Sequence, residues 1–483
     1  MKNRRNLPSR LCALLLAMAL LCSLGVPQAA AANDAVTWSQ VDNGAVTARL
    51  PLQEAEEEAA PAYRDTDTVR ISIFLEEAPT ISKFDVQDIA ENQAALAYRT
   101  GLETRQEALA QVISTQALGG EQLDVVWNLT LAANIISANV KYGEIAAIEQ
   151  VPGVEQVLIE TQYAPAVVNT NLPDDPNMST SPSMIGSSAA WTAGYTGAGS
   201  RIAVIDTGTD TDHQSFSAAG FDYSLQKQAE QAGKTVADYD LLDVEEITGV
   251  LDQLHVGKSV TAKQLYLNTK LPFGYNYVDK DLDITHDRDQ QGEHGSHVAG
   301  ISTANAYIPN ADGTFSNALD AVKVQGVAPD AQLITMKVFG KAGGAYDSDY
   351  LVAIEDAIVL KCDTVNLSLG SSNPGATRHT KAEYQAILDR LTESGIVVAI
   401  AAGNAGSWVE SARNAGYLYS DDVSMDMVGS PGSYTNSLCV ASMDNAGATG
   451  QYFLVGDTTV VYTQSTGFKN QPMTSIAGEH AYV

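Results

Sequence analysis

Arg201-Ile202-Ala203-Val204-Ile205-Asp206-Thr207-Gly208 decides how the central part of this chain is read. Arg201 to Ile205 is a short apolar run without alternation, the pattern of a strand buried on both faces of a parallel sheet. Three later runs share it: Gln332 to Phe339, Asp363 to Leu369 and Ile396 to Ala401. Two helical segments lie between them, Asp349 to Leu360 and Lys381 to Ser394. The second opens with a capping box, Thr380 with Glu383, and stops at Gly395. Strands alternating with helices predict an α/β domain, a parallel sheet with helices on both faces. A polar, partly helical stretch, Phe221 to Leu271, interrupts that plan.

Upstream, Val69, Ile71 and Ile73 alternate with polar residues as in a half-buried strand. Asp85 to Leu118 reads as helix, Leu123 to Leu131 and Asn134 to Lys141 as strands. Glu144 to Val151 is a short helix closed by Pro152-Gly153, and Val154 to Ile159 a last strand. The order β-α-β-β-α-β predicts a ferredoxin-like α+β unit. Asn33 to Asp67, rich in Ala and Glu, reads as a solvated leader. Residues 1–32 carry a basic start (Lys2, Arg4, Arg5, Arg10), an apolar stretch from Leu11 to Leu24 and small residues from Ala29 to Ala32. That is a secretory signal peptide, too short to span a membrane. No other segment offers the ~18 apolar residues of a span.

The formal net charge is -30, from 58 acidic against 28 basic residues. Such a surface repels nucleic acid and anionic lipid. Two of the 4 cysteines, Cys12 and Cys22, fall in the signal. Cys362 and Cys439 lie beside apolar runs and read as two buried thiols, with a disulfide as the alternative.

In open parallel sheets ligands bind beyond the carboxyl ends of the strands, so the polar residues that follow the apolar runs matter most. Asp206 follows the first run. His294 lies in Gly292-Glu293-His294-Gly295-Ser296-His297-Val298-Ala299-Gly300, where small residues let a helix start pack closely. The positive end of that helix would lower the pKa of His294 and favour a neutral base. His297 reads as a packed structural histidine, because the pair lacks a third zinc ligand and the H-E-x-x-H pattern. After Ile396 to Ala401 comes Ala402-Gly403-Asn404-Ala405-Gly406, whose Asn404 amide can donate to an oxyanion. Ser368-Leu369-Gly370 closes the preceding run, and its backbone can pair with an extended peptide. Taken singly, each has a bland reading as a cap or turn.

Together, the Asp206 block, the His294 block, Ser368-Leu369-Gly370 and Ala401-Ala402-Gly403-Asn404 resemble the subtilases in order and flanking residues, from about Ser187 to about Asp444. The resemblance implies a subtilisin-like serine endopeptidase acting on protein or peptide substrates. Asp206 would orient His294, His294 would act as general base and then acid, and Asn404 would hold the oxyanion. Ser368, Leu369 and Gly370 would face Ala402 and Gly403 across the substrate cleft, with Gly343 and Gly344 on its far edge. Residues 68–163 resemble the family's inhibitory propeptide, notably Ile136-Ser137-Ala138-Asn139-Val140 and Val151-Pro152-Gly153-Val154. The implied organisation is signal peptide 1–32, leader 33–67, propeptide 68–163 and catalytic domain 175–483.

Two features depart from the family pattern. The nucleophile string Gly-Thr-Ser-Met-Ala-x-Pro is absent; the nearest is Met473-Thr474-Ser475-Ile476-Ala477-Gly478, where Met473 replaces Gly and Glu479 replaces Pro. The gap between Asp206 and His294 is also long. Large cell-envelope members of the lactocepin and C5a peptidase type share both features. The expectation is therefore a secreted precursor, inactive as the chain stands, with its Ser after an insertion and wall attachment through a later region. Ser475 is the weak alternative nucleophile. No cofactor is required. Calcium is admitted only as a structural ion, since Asp279, Asp281 and Asp283 lack the EF-hand glycine and read as solvated loop acids. The rival function is a non-catalytic peptide-binding scaffold.

Overall fold

A computed structural model describes residues 37–40, 46–49, 63–87, 89–163, 180–289, 292–341, 343–370, 382–403, 428–434, 438–443, 452–456 and 458–461. The chain divides into two compact units, Met1–Arg64 and Asp65–Val483. In the first, β1 (Thr37–Gln40) pairs antiparallel with β2 (Val46–Arg49), a hairpin inside the stretch read as a solvated leader.

The second unit begins with β3 (Thr68–Leu75), α1 (Gln93–Gln116), β4 (Asp124–Leu129) and β5 (Ile135–Lys141). A helical turn, Ile145–Ile148, leads into β6 (Val154–Ile159). The four strands form an antiparallel sheet in the order β4-β5-β3-β6, the order of a ferredoxin-like unit. α1 starts later than Asp85 because the Asn92 side chain accepts the amides of Ala94 and Ala95 and so fixes the helix start. A two-residue strand, β7 (Gln162–Tyr163), ends this part of the described chain.

A parallel sheet follows, built from β8 (Arg201–Asp206), β9 (Phe273–Asn276), β12 (Gln332–Lys337), β14 (Thr364–Leu367), β15 (Val397–Ala401) and β16 (Leu438–Val440). Their order is β16-β15-β14-β8-β12-β9, so β8 lies centrally. Between them come α2 (His294–Thr303), the hairpin β10 (Tyr307–Pro309) with β11 (Phe315–Asn317), the short β13 (Ala345–Tyr346), α3 (Asp347–Val359) and α4 (Ala382–Glu393). The four apolar runs became β8, β12, β14 and β15. β9 was not read as a strand; its Phe-Gly-Tyr-Asn sequence is short and carries a glycine. A second hairpin, β17 (Tyr452–Val455) with β18 (Thr458–Val461), ends the described chain.

Cys362 is buried, but Cys439 is exposed and both thiols are free. Two buried thiols are thus not found, because Cys439 lies on β16, the outer strand of the sheet. The capping pair Thr380 with Glu383 falls partly outside the described residues, while Gly395 takes φ 82 and stops α4 as expected.

Residues 68–163 and the α/β part share one apolar core, in which Phe74, Ile81 and Ile89 join Tyr350, Leu351 and Tyr384. The polar contacts across this junction are specific. Buried Glu355 of α3 accepts the backbone amides of Leu131 (2.8 Å) and Ala132 (2.7 Å). Asp349 accepts from the Trp127 indole at 2.9 Å, and Asp347 from the amide of Thr161 at 2.7 Å.

Candidate functional site

Asp206 is the last residue of β8, with a side chain only 1% exposed. Its Oδ1 accepts the amide of Thr207 at 2.7 Å and lies 2.8 Å from His294 Nδ1. Oδ2 is buried and finds no hydrogen-bond partner among the described residues. A carboxylate at that distance holds the imidazole proton on Nδ1 and leaves Nε2 as the free base. His294 opens α2, and its side chain is 16% exposed, so the ring is sheltered on one side and open on the other.

The local sequence explains the approach. A Cβ at residue 295 would stand 2.1 Å from the Gly208 carbonyl oxygen, so only Gly295 lets the helix start meet the Asp206-Thr207-Gly208 turn backbone to backbone. Thr207 Oγ1 accepts the Gly295 amide at 2.9 Å, and Ser296 Oγ accepts the Asp210 amide at 2.7 Å. The hydrogen bond that His294 donates to Asp206 raises its pKa above 6.5, against the effect of burial. This corrects the expectation of a lowered value: a full carboxylate charge in contact outweighs the partial charge of a helix end.

Ser368, Leu369 and Gly370 leave the end of β14, and Ala402 and Gly403 leave the end of β15. Those strands run parallel with Leu367 opposite Ile400, so both segments emerge beside each other on the edge that bears Asp206. Leu369 is buried, and Ser368 Oγ accepts from the Asn366 amide at 3.0 Å. Gly403 has φ 93, a conformation that glycine takes without strain. Asn404 and Ser475 lie outside the described residues. His297 is exposed on α2 rather than packed in the core, since the helix turns that position outward.

Gly344 precedes β13, which pairs antiparallel with β7 through Ala345 with Tyr163 and Tyr346 with Gln162. A Cβ at residue 344 would stand 2.3 Å from the Tyr163 carbonyl oxygen. The chain segment Gln162–Tyr163 therefore lies as an extended peptide along this edge.

Sequence reasoning missed Lys337, whose signal was a charge inside the apolar run Gln332 to Phe339. Lys337 is the register partner of Asp206 on the neighbouring strand. Its buried ammonium donates to the Thr207 carbonyl and pairs with Asp289 at 2.6 Å. Asp279 and Asp281 are engaged by Lys341, through its amide (3.0 Å) and its ammonium (3.2 Å) respectively. Among the described residues no cluster of three or more His, Cys, Asp or Glu is arranged to hold a metal. No helix among them is long and apolar enough to cross a membrane.

Residues 197–476 match the model of the Subtilase family, Peptidase_S8. The chain belongs to the subtilase family. It is 31% identical over 374 residues to the PIII-type proteinase of Lactococcus lactis subsp. cremoris, covering 76% of this chain and 16% of that protein. It is 29% identical over 238 residues to the minor extracellular protease Vpr of Bacillus subtilis, covering 48% and 21%. It is 27% identical over 247 residues to the C5a peptidase of Streptococcus pyogenes serotype M3, covering 51% and 18%. This subtilase chain thus spans about a sixth to a fifth of the length of these relatives.

Proposed function

We propose that this subtilase is a secreted serine endopeptidase precursor and that Asp206 and His294 are its orienting carboxylate and general base. The observation that carries the reading is the 2.8 Å contact between a buried carboxylate at a strand end and an imidazole at a helix start. A peptide-binding scaffold has no need of a base held in one tautomer. In the reaction, His294 Nε2 takes the proton of the attacking serine and later gives it to the leaving amine, while Asp206 stabilises the imidazolium. Asn404 is the proposed oxyanion donor, and Ser368 to Gly370 with Ala402 and Gly403 the proposed cleft. Substrates are extended peptides or proteins. The signal-like residues 1–32 support export, in line with relatives that include a protein named extracellular. Calcium stays a proposal limited to a structural ion.

Residues 68–163 are proposed as the inhibitory propeptide, supported by the strand that Gln162–Tyr163 adds to Ala345–Tyr346. The proposed nucleophile is a serine in a Gly-Thr-Ser-Met-Ala-like string rather than Ser475. Met473 withholds the close backbone approach that Gly permits, and Glu479 would oppose the developing oxyanion. Fluorophosphonate labelling of the protein expressed from its complete reading frame, with the labelled peptide sequenced, tests this. Label in such a string supports the reading; label on Ser475 overturns that assignment, and stoichiometric labelling of residues 1–483 alone does the same.

A further inference from the structure

The stretch Phe221 to Leu271, which interrupts the α/β plan, reaches the ferredoxin-like part at the outer strand β4. Among the described residues that strand pairs only with β5, so its outward backbone groups lack a sheet partner there. Two basic side chains, Lys280 and His255, cover them. Lys280 Nζ donates to the Val126 carbonyl at 2.8 Å and lies 3.9 Å from the centre of the Trp127 ring. His255 Nε2 lies 3.0 Å from the Asn128 carbonyl oxygen. Beside it, Gln253 Nε2 donates to the Ala90 carbonyl at 3.0 Å, and Leu254 packs in the same core as Ile89 and Ala90.

His255 faces acceptors on both ring nitrogens. Nδ1 is 2.8 Å from Asp356 Oδ1, and Nε2 is 3.5 Å from Glu355 Oε2 as well as 3.0 Å from the Asn128 carbonyl. Tyr277 donates to the other oxygen of Asp356 at 2.9 Å, and Arg99 on α1 is the opposing charge nearby. A neutral imidazole has one N–H and one lone pair. With Nδ1–H given to Asp356, its Nε2 lone pair would point at the Asn128 oxygen. Only the imidazolium satisfies both contacts. Away from β4, water can donate to Nε2 and the neutral form is tolerated.

We infer that the Gln253–His255 edge of this insertion is a receptor for the outer edge of β4, and that it grips residues 68–163 more tightly when His255 is an imidazolium than when it is neutral. This rests on the reading of residues 68–163 as a docked inhibitory propeptide. The sign follows from the contacts. Docking favours the protonated ring, so its pKa is higher docked than free. The added grip is complete below the free value and is lost as pH rises through the docked one. Burial opposes the charged ring, while Asp356 and Glu355, on α3 beside His255, favour it docked or free; the difference on docking comes from the Asn128 carbonyl. Residues 68–163 are therefore held less tightly toward alkaline pH.

The test is amide hydrogen exchange on the full chain, with intrinsic rates divided out, from about pH 6 to about pH 9. A Glu160→Gln background removes a buried carboxyl at this junction whose pKa burial pushes up to about 7. Protection of residues 126–133 should fall about tenfold across the window, while residues 332–337 stay constant. Adding His255→Gln should flatten the response. A flat response in the parent, or an equal slope in the variant, overturns the proposal. If His255→Gln does not fold, the titration of His255 by NMR in the parent decides: a value above 6.5 supports the imidazolium, and one at or below 6.5 refutes it. Should residues 68–163 prove not to inhibit, this response would still appear; should the receptor be wrong, inhibition would persist without it.

Discussion

Lys337 and Asp289 form a buried ion pair, 2.6 Å apart with both side chains no more than 2% exposed, that ties the two arms of the Asp206–His294 site together. Lys337 also donates to the carbonyl of Thr207, directly after Asp206, while Asp289 lies in the loop just before His294. One ammonium thus fixes both arms.

Removing one member leaves an uncompensated buried charge. Lys337→Met is expected to destabilise the fold by about 3–5 kcal/mol, and Lys337→Met with Asp289→Leu by much less. Denaturant midpoints of the two variants check this. If the fold tolerates both equally, the pair is not what joins the arms.

Glu160 offers a pH test. It is buried, accepts from Ser72, Ser137 and Ser348, and burial pushes its pKa from 4.5 to about 7. A raised carboxyl favours the folded state when protonated. Its contribution is complete below about 4.5 and is lost as pH climbs through about 7. Glu160→Gln, which mimics the protonated form, should flatten the decline in denaturation midpoint between about pH 5 and pH 8. An unchanged decline would show that another group titrates.

His294 must be neutral to act as a base, and its bond to Asp206 raises its pKa. The acid limb of kcat/KM is therefore expected above the ordinary imidazole value of about 6.5. Asp206→Asn should move the limb lower and cut kcat by about 10⁴-fold, the magnitude known for the equivalent change in a serine protease triad. A limb that stays in place would mean that another group controls it.

The sheet was legible because strands buried on both faces leave uninterrupted apolar runs, as Arg201 to Ile205 does. Asp206 and His294 were legible because glycines and small residues surround them, and Gly295 against Gly208 gives the reason in contact distances. What stayed hidden depends on partners distant in sequence. Nothing near Lys337 announces Asp289, and nothing near Glu355 announces the amides of Leu131 and Ala132. Likewise, the exposure of Cys439 follows from the place of β16 in the strand order, which no local pattern encodes. His294 was misjudged in pKa because a helix end is visible in sequence, whereas a carboxylate contact is visible only in the fold.

The central claim is that Asp206 and His294 drive peptide hydrolysis. Its most direct test is casein cleavage by the protein from its complete reading frame, with and without His294→Ala. The expected outcome is a loss of roughly 10⁶-fold in kcat, the scale known for the histidine of subtilisin, with the fold and KM little changed. Hydrolysis that survives His294→Ala at close to the parent rate would contradict the account.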